Sequence, residues 1–550
     1  MSTRVVLTGM LPFLVVAASL LAIPVSWVLL RIYARSVRRG MTTGRQAPTD
    51  VVPRGVPSGQ LRLDEMLRNG PADTGDHALP EFRMAMAGRW QSAAIYASAG
   101  ACFALVMTVG LFLSDRTQSV VATKVGLLFW SYFWPVVPAT CLIAAYDRRR
   151  RMQIVGGYFL VLGAIFLVAI IRNPGVGLGQ LPLYWIITNG PPSILIVAFL
   201  YRPIRAVGPL VLVFLIALAV GSQLLLSIAG RNDRVLRTIS NAGYSIGLGA
   251  TSTFVLMIVI GMIVFGALVG WPMLRMLGRR YGHKKLSDQS LLLDALWLIF
   301  ALVYSIDLVF NGTPWILTGA VAFVAYKLVV VQGFRLRTRR LQSAPPKTLL
   351  LLRVFALGKR SERLFSKLRK HWQYVGSICM IAGPDLATST VEPHEFLEFV
   401  RGRTARQFIG GSTELEQRMS SFDRLPDPDG RFRITEFFCH NDTWQMTMER
   451  LAQSSDTILM DLRSFSQSNR GCSIELGRLL DTINLTRVLF LVDNTTDRKF
   501  LESTLQDLWR NLAADSPNRV QQDCAARIFT VSSQDEGELG VLVGRLLGSA

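Results

Sequence analysis

Before about residue 335 the chain carries run after run of apolar residues, each about as long as the 20 or so residues a helix needs to cross a bilayer. These runs leave few ways to fold, because a backbone in hydrocarbon must satisfy its own hydrogen bonds and does so most simply as a helix. Runs are placed near 5–30, 91–113, 120–146, 154–171, 181–201, 209–228, 246–271, 289–310 and 315–331, which predicts about nine spans. Half of the 550 residues are hydrophobic, too many for an ordinary soluble enzyme. The expectation is an α-helical multi-pass bundle over 1–341, with the lipid bilayer as its first partner.

Charge is divided unevenly. From Lys347 onward 26 Lys and Arg face 26 Asp and Glu, so the whole net +21 belongs to the first 346 residues. There the basic residues form short clusters between apolar runs: Arg31, Arg35, Arg38 and Arg39; Arg148 to Arg151; Arg202 and Arg205; Arg275, Arg279, Arg280, Lys284 and Lys285; Arg335, Arg337, Arg339 and Arg340. Placed inside by the positive-inside rule, these loops put the amino terminus outside and the carboxyl-terminal part in the cytoplasm of a bacterial-type inner membrane. Arg231, Arg234 and Arg237 fall on the opposite side. A nucleic-acid partner is not expected, since the basic residues form no face interleaved with aromatics. The first apolar run is long and followed by its basic flank, unlike a cleaved signal peptide.

The Pro-, Gly- and Thr-rich loop 40–89 is expected to be mostly irregular, with a short helix around Leu61 to Arg68. Ionisable residues inside spans are candidate functional positions: Lys124, Asp294, Asp307 and Lys327. Asp294 and Lys327 lie at matching depths of consecutive spans, as do Lys124 and Asp307, so structural pairs are the favoured reading over a conduction path. Helix breakers at Trp134 to Pro138 and Asn189 to Pro192 suit either kinks in a packed bundle or the discontinuous helices of a transporter site.

After a linker at 342–347 the pattern becomes strands alternating with helices through 348–550. Strands are predicted at 349–357, 375–382, 432–438, 457–462, 487–493 and 527–531. Helices are predicted at 361–372, from near Glu392, at 443–453, 472–483 and 498–512, and at the end. This is a doubly wound α/β domain with a parallel sheet, with 401–430 as an irregular or helical insert. Six cysteines without a CxxC spacing suggest neither a disulfide framework nor a zinc site, so no metal is expected.

In such sheets ligands bind outside the carboxyl ends of the strands. Gly358-Lys359-Arg360 opens a helix after the first strand and suits a phosphate, although it is not a Walker A loop; a solvated basic pair is the plainer reading. Asp385 follows the second strand, where it would hold ribose hydroxyls or start a turn. Asp442, between a strand and a helix, is expected as an N-cap. The most informative stretch is 456–481: a buried strand ends at Asp461, a Ser-bearing loop follows with Ser464 and Ser468, and a helix then carries Glu475 in its first turn or so.

The segment Asp456-Thr-Ile-Leu-Met-Asp461, Ser464 to Ser468 and Gly471-Cys472-Ser473-Ile474-Glu475-Leu476-Gly477 resembles Toll/interleukin-receptor (TIR) domains, in which a strand, a Ser-bearing loop and Cys-x-x-Glu-Leu precede a helix. It is also similar to the Gly-Thr-x-x-Glu-x-Gly segment of nucleoside 2-deoxyribosyltransferases. Gly471 stands where enzymatic TIR domains have an aromatic residue, and Cys472 where the transferases have threonine. The resemblance implies that Glu475 works at an N-glycosidic bond, that NAD or a nucleotide is the substrate or ligand with no cofactor required, and that the domain acts as a homo-oligomer. On that reading Glu475 stabilises the oxocarbenium-like state, Asp461 orients a ribose hydroxyl, Ser464 and Ser468 bind substrate, and Lys359 and Arg360 hold phosphates. A plainer reading has Glu475 complementing the helix dipole and Asp461 closing a turn. A non-catalytic nucleotide-binding or protein-interaction domain that regulates a channel or transporter is the alternative function.

Overall fold

The computed structural model describes residues 3–42, 60–66, 75–115, 120–144, 148–173, 175, 177–199, 204, 207–229, 233–309, 311–340, 346–353, 359–383, 391–422, 424–519, 523–532 and 536–548. The chain divides into two compact units. One comprises Met1–Ile32, Trp90–Arg340 and Val391–Leu397; the other comprises Tyr33–Arg89, Leu341–Thr390 and Glu398–Ala550.

The first unit is helical. Among the described residues seven helices are long and apolar enough to cross a membrane: Ala17–Met41, Ala87–Ser114, Arg148–Arg172, Gly208–Leu225, Thr251–Gly282, Asp288–Ser305 and Pro314–Arg337. An eighth span is formed if Ala122–Phe133 and Val136–Ile143, bent by 40° at their junction, count together. Trp134-Pro135 supplies the break, because proline lacks the N–H that would continue the ladder. The expected run at 181–201 is helical over Gln180–Phe199. It carries Thr188, Asn189, Gly190, Pro191, Pro192 and Ser193 through its middle and is not among the seven. Among the described residues, seven of the nine expected spans are thus met, or eight with the bent pair.

The second unit is built on eight parallel strands in the order β1-β8-β7-β6-β2-β3-β5-β4. The strands are β1 (Gln60–Met66), β2 (Lys347–Arg353), β3 (Gly376–Ile381), β4 (Phe408–Ile409), β5 (Ile434–Cys439), β6 (Thr457–Asp461), β7 (Val488–Val492) and β8 (Asp523–Thr530). Residues alternate between two cores. Leu350, Leu352, Ile458 and Met460 face one with Leu476, Leu480, Leu501 and Leu505; Leu349, Leu351 and Leu459 face the other with Leu368, Leu542 and Leu546. Helices thus cover both faces, as a buried parallel sheet requires. Gly376 has a packing reason, since a Cβ there would run into the Lys347 backbone on the adjacent strand.

Two strands were not expected. β1 comes from the 40–89 loop, where a short helix around Leu61 to Arg68 was predicted; its Leu61 and Leu63 alternate toward the core and it pairs with β8 in parallel register, Gln60 opposite Asp523 through Met66 opposite Phe529. Two leucines at spacing 2 are a strand signal that the surrounding Pro and Gly obscured. The loop's later part is helical from Gly75. The 401–430 insert contains β4 and helix Ser412–Ser420. Asp442 is exposed, and the N-cap of helix Trp444–Ser454 is Thr443.

Candidate functional site

From β2 the chain places β3, β4 and β5 on one side, with β4 at the edge, then returns to lay β6 against the other side of β2. That reversal makes the carboxyl ends of β2 and β6 the switch point of the sheet, the position at which open α/β sheets bind ligands. The two strands end in register, with Arg353 opposite Asp461. Both side chains are buried.

Asp461 is committed locally. Its carboxylate accepts two hydrogen bonds from the Arg463 guanidinium, Nε at 2.7 Å and Nη2 at 2.7 Å, and a weaker one from the Arg463 backbone N–H at 3.3 Å. Arg463 is wholly inaccessible, and its Nη1 makes no hydrogen bond. The turn-closing reading of Asp461 is thereby met; a bidentate, buried pair fixes geometry and is not a free base.

Glu475 lies in the second turn of helix Arg470–Thr482, and the first turn holds no acidic residue. The helix-dipole reading, which operates within the first turn, loses its force here. The Glu475 side chain is 3 % exposed and its Oε2 has no hydrogen-bond partner. Burial pushes its carboxyl up to about 8, with the Arg353 guanidinium pulling the other way. The neighbouring Cys472 thiol is driven up by burial and by the Glu475 and Asp461 charges, so it is no nucleophile at neutral pH.

The loop after β6 is latched to the loop after β7. Thr496 Oγ1 donates to the Leu462 carbonyl at 3.0 Å, the Asp497 N–H donates to the Phe465 carbonyl at 3.0 Å, and the Ser464 and Thr495 hydroxyls meet at 2.8 Å. Asp497 in turn caps helix Arg498–Arg510 by accepting from the Phe500 N–H. Ser464 is held at φ 59°, a left-handed conformation that non-glycine residues adopt at a cost of about 1–2 kcal/mol. Such strain concentrates where a loop is shaped for a ligand. Ser468 is exposed and shares a hydrogen bond with the Ser466 hydroxyl at 2.9 Å.

Of the other expected positions, Gly358 and Asp385 lie outside the described residues. Lys359 and Arg360 begin helix Lys359–Trp372, but their side chains lie outside them too. The residues that sequence reasoning passed over are Arg353 and the partnership of Arg463. A lone arginine closing an all-leucine strand, LLLLR, was the available signal.

In the helical unit Lys327 bonds Asp294, the pair expected from their depths. Lys124 is half-buried on helix Ala122–Phe133, while the Asp307 side chain lies outside the described residues. The two sets of helix breakers meet: Trp134 Nε1 donates to Ser193 Oγ at 2.7 Å, Ser193 Oγ donates to the Asn189 carbonyl at 2.6 Å, and the Tyr304 hydroxyl bonds the Asn189 side chain at 2.6 Å. Breaks tied to each other in this way have the form of packed kinks.

Comparison with protein-family models and with curated proteins finds no match, so the switch-point cluster stands on its own geometry.

Proposed function

We propose that this chain is an integral membrane protein whose TIR-like α/β domain, held on the cytoplasmic side of the inner membrane, binds NAD or a related nucleotide and cleaves its N-glycosidic bond. The observation that carries the proposal is Glu475: a buried carboxyl with an unpartnered oxygen, on the helix that follows β6 at the switch point of the sheet. Breaking a ribose-to-base bond builds positive charge at the anomeric carbon, and an ionised carboxylate held in a low-dielectric site stabilises it strongly. Burial keeps Glu475 neutral until the site is filled; a cationic ribosyl-pyridinium beside it favours the ionised form that the chemistry needs. Asp461 and Arg463 hold the end of β6 rigid, and Arg353 limits how far the Glu475 carboxyl rises.

A second reading has its own support. At neutral pH a protonated Glu475 is a hydrogen-bonding group and not a charge stabiliser, which suits a domain that binds a nucleotide without cleaving it and regulates the membrane helices.

The test is incubation of the full-length protein in membranes with NAD and a panel of nucleosides and nucleotides, followed by chromatography for released base. Release that vanishes in Glu475→Gln, and that rises as pH passes through about 8, is the expected result. Unchanged release in Glu475→Gln would remove Glu475 from the mechanism. Saturable binding without product would select the second reading.

A further inference from the structure

Helix Asp233–Ser245 has 13 residues, a length of about 20 Å, too short to cross a hydrocarbon core of about 30 Å. It joins two helices that are long and apolar enough to cross, Gly208–Leu225 and Thr251–Gly282. Those two pack closely and antiparallel: a Cβ on Gly221 would press into the Phe265 ring, and one on Gly261 would meet Leu225. They form a hairpin, and the short helix sits at its turn, away from the end that carries Arg275, Arg279 and Arg280.

The residues of the short helix sort by the helical period. Leu236, Ile239, Ser240 and Gly243, at i, i+3, i+4 and i+7, are its covered face. Ile239 joins Leu225, Phe254 and Ile258 around Met257, and a Cβ on Gly243 would run into the Thr253 side chain. Thr253 lies in the first turn of helix Ala250–Phe265, so the short helix is pinned where that span begins. Arg234, Arg237, Thr238, Asn241 and Ser245, at i, i+3, i+4, i+7 and i+11, are all exposed. The Thr238 and Ser245 hydroxyls donate to carbonyls of their own helix at 2.8 Å, so the charge of this face is carried by the two arginines. Val235 and Tyr244 flank the covered face, 39 % and 61 % exposed. An apolar underside, apolar flanks and a basic outer face suit a helix lying in the headgroup layer.

From Ala229 to Ala250 the sequence has three arginines, Arg231, Arg234 and Arg237, against one acid, Asp233. The positive-inside rule does not account for basic residues at this end of the hairpin. An anionic leaflet does.

We propose that helix Asp233–Ser245 is an interfacial anchor whose exposed face binds the headgroups of anionic phospholipids through Arg234 and Arg237. The planar guanidinium donates paired N–H groups to a lipid phosphate, while Val235 and Tyr244 enter the acyl boundary on either side. The inference rests on the reading of the chain as an integral membrane protein and is independent of the nucleotide chemistry of the sheet.

The experiment uses the full-length protein in nanodiscs of equal phosphatidylglycerol and phosphatidylcholine, whose headgroups share the phosphate and differ in net charge. A photo-crosslinking diazirine side chain at position 241, one turn on from Arg237 and on the same face, captures the local lipid, and mass spectrometry identifies the adducts. One basic residue at a membrane surface is worth about fivefold in binding. Phosphatidylglycerol adducts are therefore expected to exceed phosphatidylcholine adducts by about fivefold or more, and Arg234→Gln with Arg237→Gln should bring the ratio close to parity. Parity in the wild type, a preference that survives the double substitution, or a probe that captures no lipid overturns the proposal. A chain that does not enter the nanodiscs at all overturns the membrane reading together with it.

Discussion

The two units bury carboxyl groups under opposite rules. In the helical unit Asp294 meets Lys327 across two helices, and the interaction ties elements together. In the α/β unit Glu475 is buried among core leucines, the Arg353 guanidinium is the cation that acts on it, and its Oε2 bonds nothing. A paired carboxylate is what a fold uses to fix geometry; an unpaired one works against the fold and points to a ligand. The same contrast recurs within the α/β unit, where Asp461 is doubly bonded to Arg463 a few residues from Glu475. The comparison can be broken by removing one carboxyl at a time.

The largest effect is expected at the paired group. Asp461→Ala leaves Arg463 buried and unpaired, which costs about 3–5 kcal/mol. Unfolding of the α/β unit followed by denaturant titration checks this, and a loss under about 1 kcal/mol would mean that solvent reaches the Arg463 guanidinium.

Glu475→Gln should move stability the other way. The Glu475 carboxyl is raised to about 8 in the folded chain, while an unfolded glutamate titrates near 4.3. Between those values the folded state holds a proton that the unfolded state has released, so this group makes stability fall as pH rises from about 4.3 to about 8 and level off above. Glutamine carries no such dependence. At pH 7 the variant is therefore more stable by up to about 3 kcal/mol, measured as the separation between unfolding curves recorded across that range. Parallel curves for wild type and variant would show that Glu475 is ionised in the folded protein.

How much of this was readable beforehand differs between the units for a physical reason. Spans and central strands are runs whose pattern repeats, and most were placed within a few residues. β6 is followed by helix Arg470–Thr482, which carries Glu475 as expected. What escaped notice depends on distant partners. β1 is a strand only because β8 offers it an edge, and Arg353 matters only because the switch in strand order sets it opposite Asp461. The local signals, two leucines at spacing 2 in QLRLDEM and a lone arginine closing LLLLR, do not name those partners. Glu475, expected in the first turn or so of a helix from 472, sits in the second turn because the helix starts at Arg470, and that difference of two residues decides between a dipole role and a site.

In the helical unit, Lys327→Met strands Asp294 and is expected to cost about 1–3 kcal/mol. The loss is smaller than for Asp461 because the Lys327 and Asp294 side chains keep 30 % and 15 % of their exposure. Adding Asp294→Asn should restore most of it, so a double-mutant cycle on the full-length protein isolates the pair. Additive losses would mean that the two residues act separately.

The smallest effect tests β1. Arg498, at the start of the helix after β7, donates to Glu65 at 2.9 Å and to the Thr530 hydroxyl at 2.7 Å, fastening the new edge strand to β8. The Glu65 side chain is 60 % exposed, so this pair contributes only about 0.2–1 kcal/mol. Arg498→Ala therefore leaves global unfolding nearly unchanged. Its signature lies in hydrogen exchange: amides of β1 and the β8 edge should exchange faster while those of β6 and β2 keep their protection, because an edge strand opens alone and the centre of a sheet opens only with the whole. Uniform acceleration would make β1 an integral part of the core, and Leu61 and Leu63, not Arg498, would then be what holds the 40–89 loop to the domain.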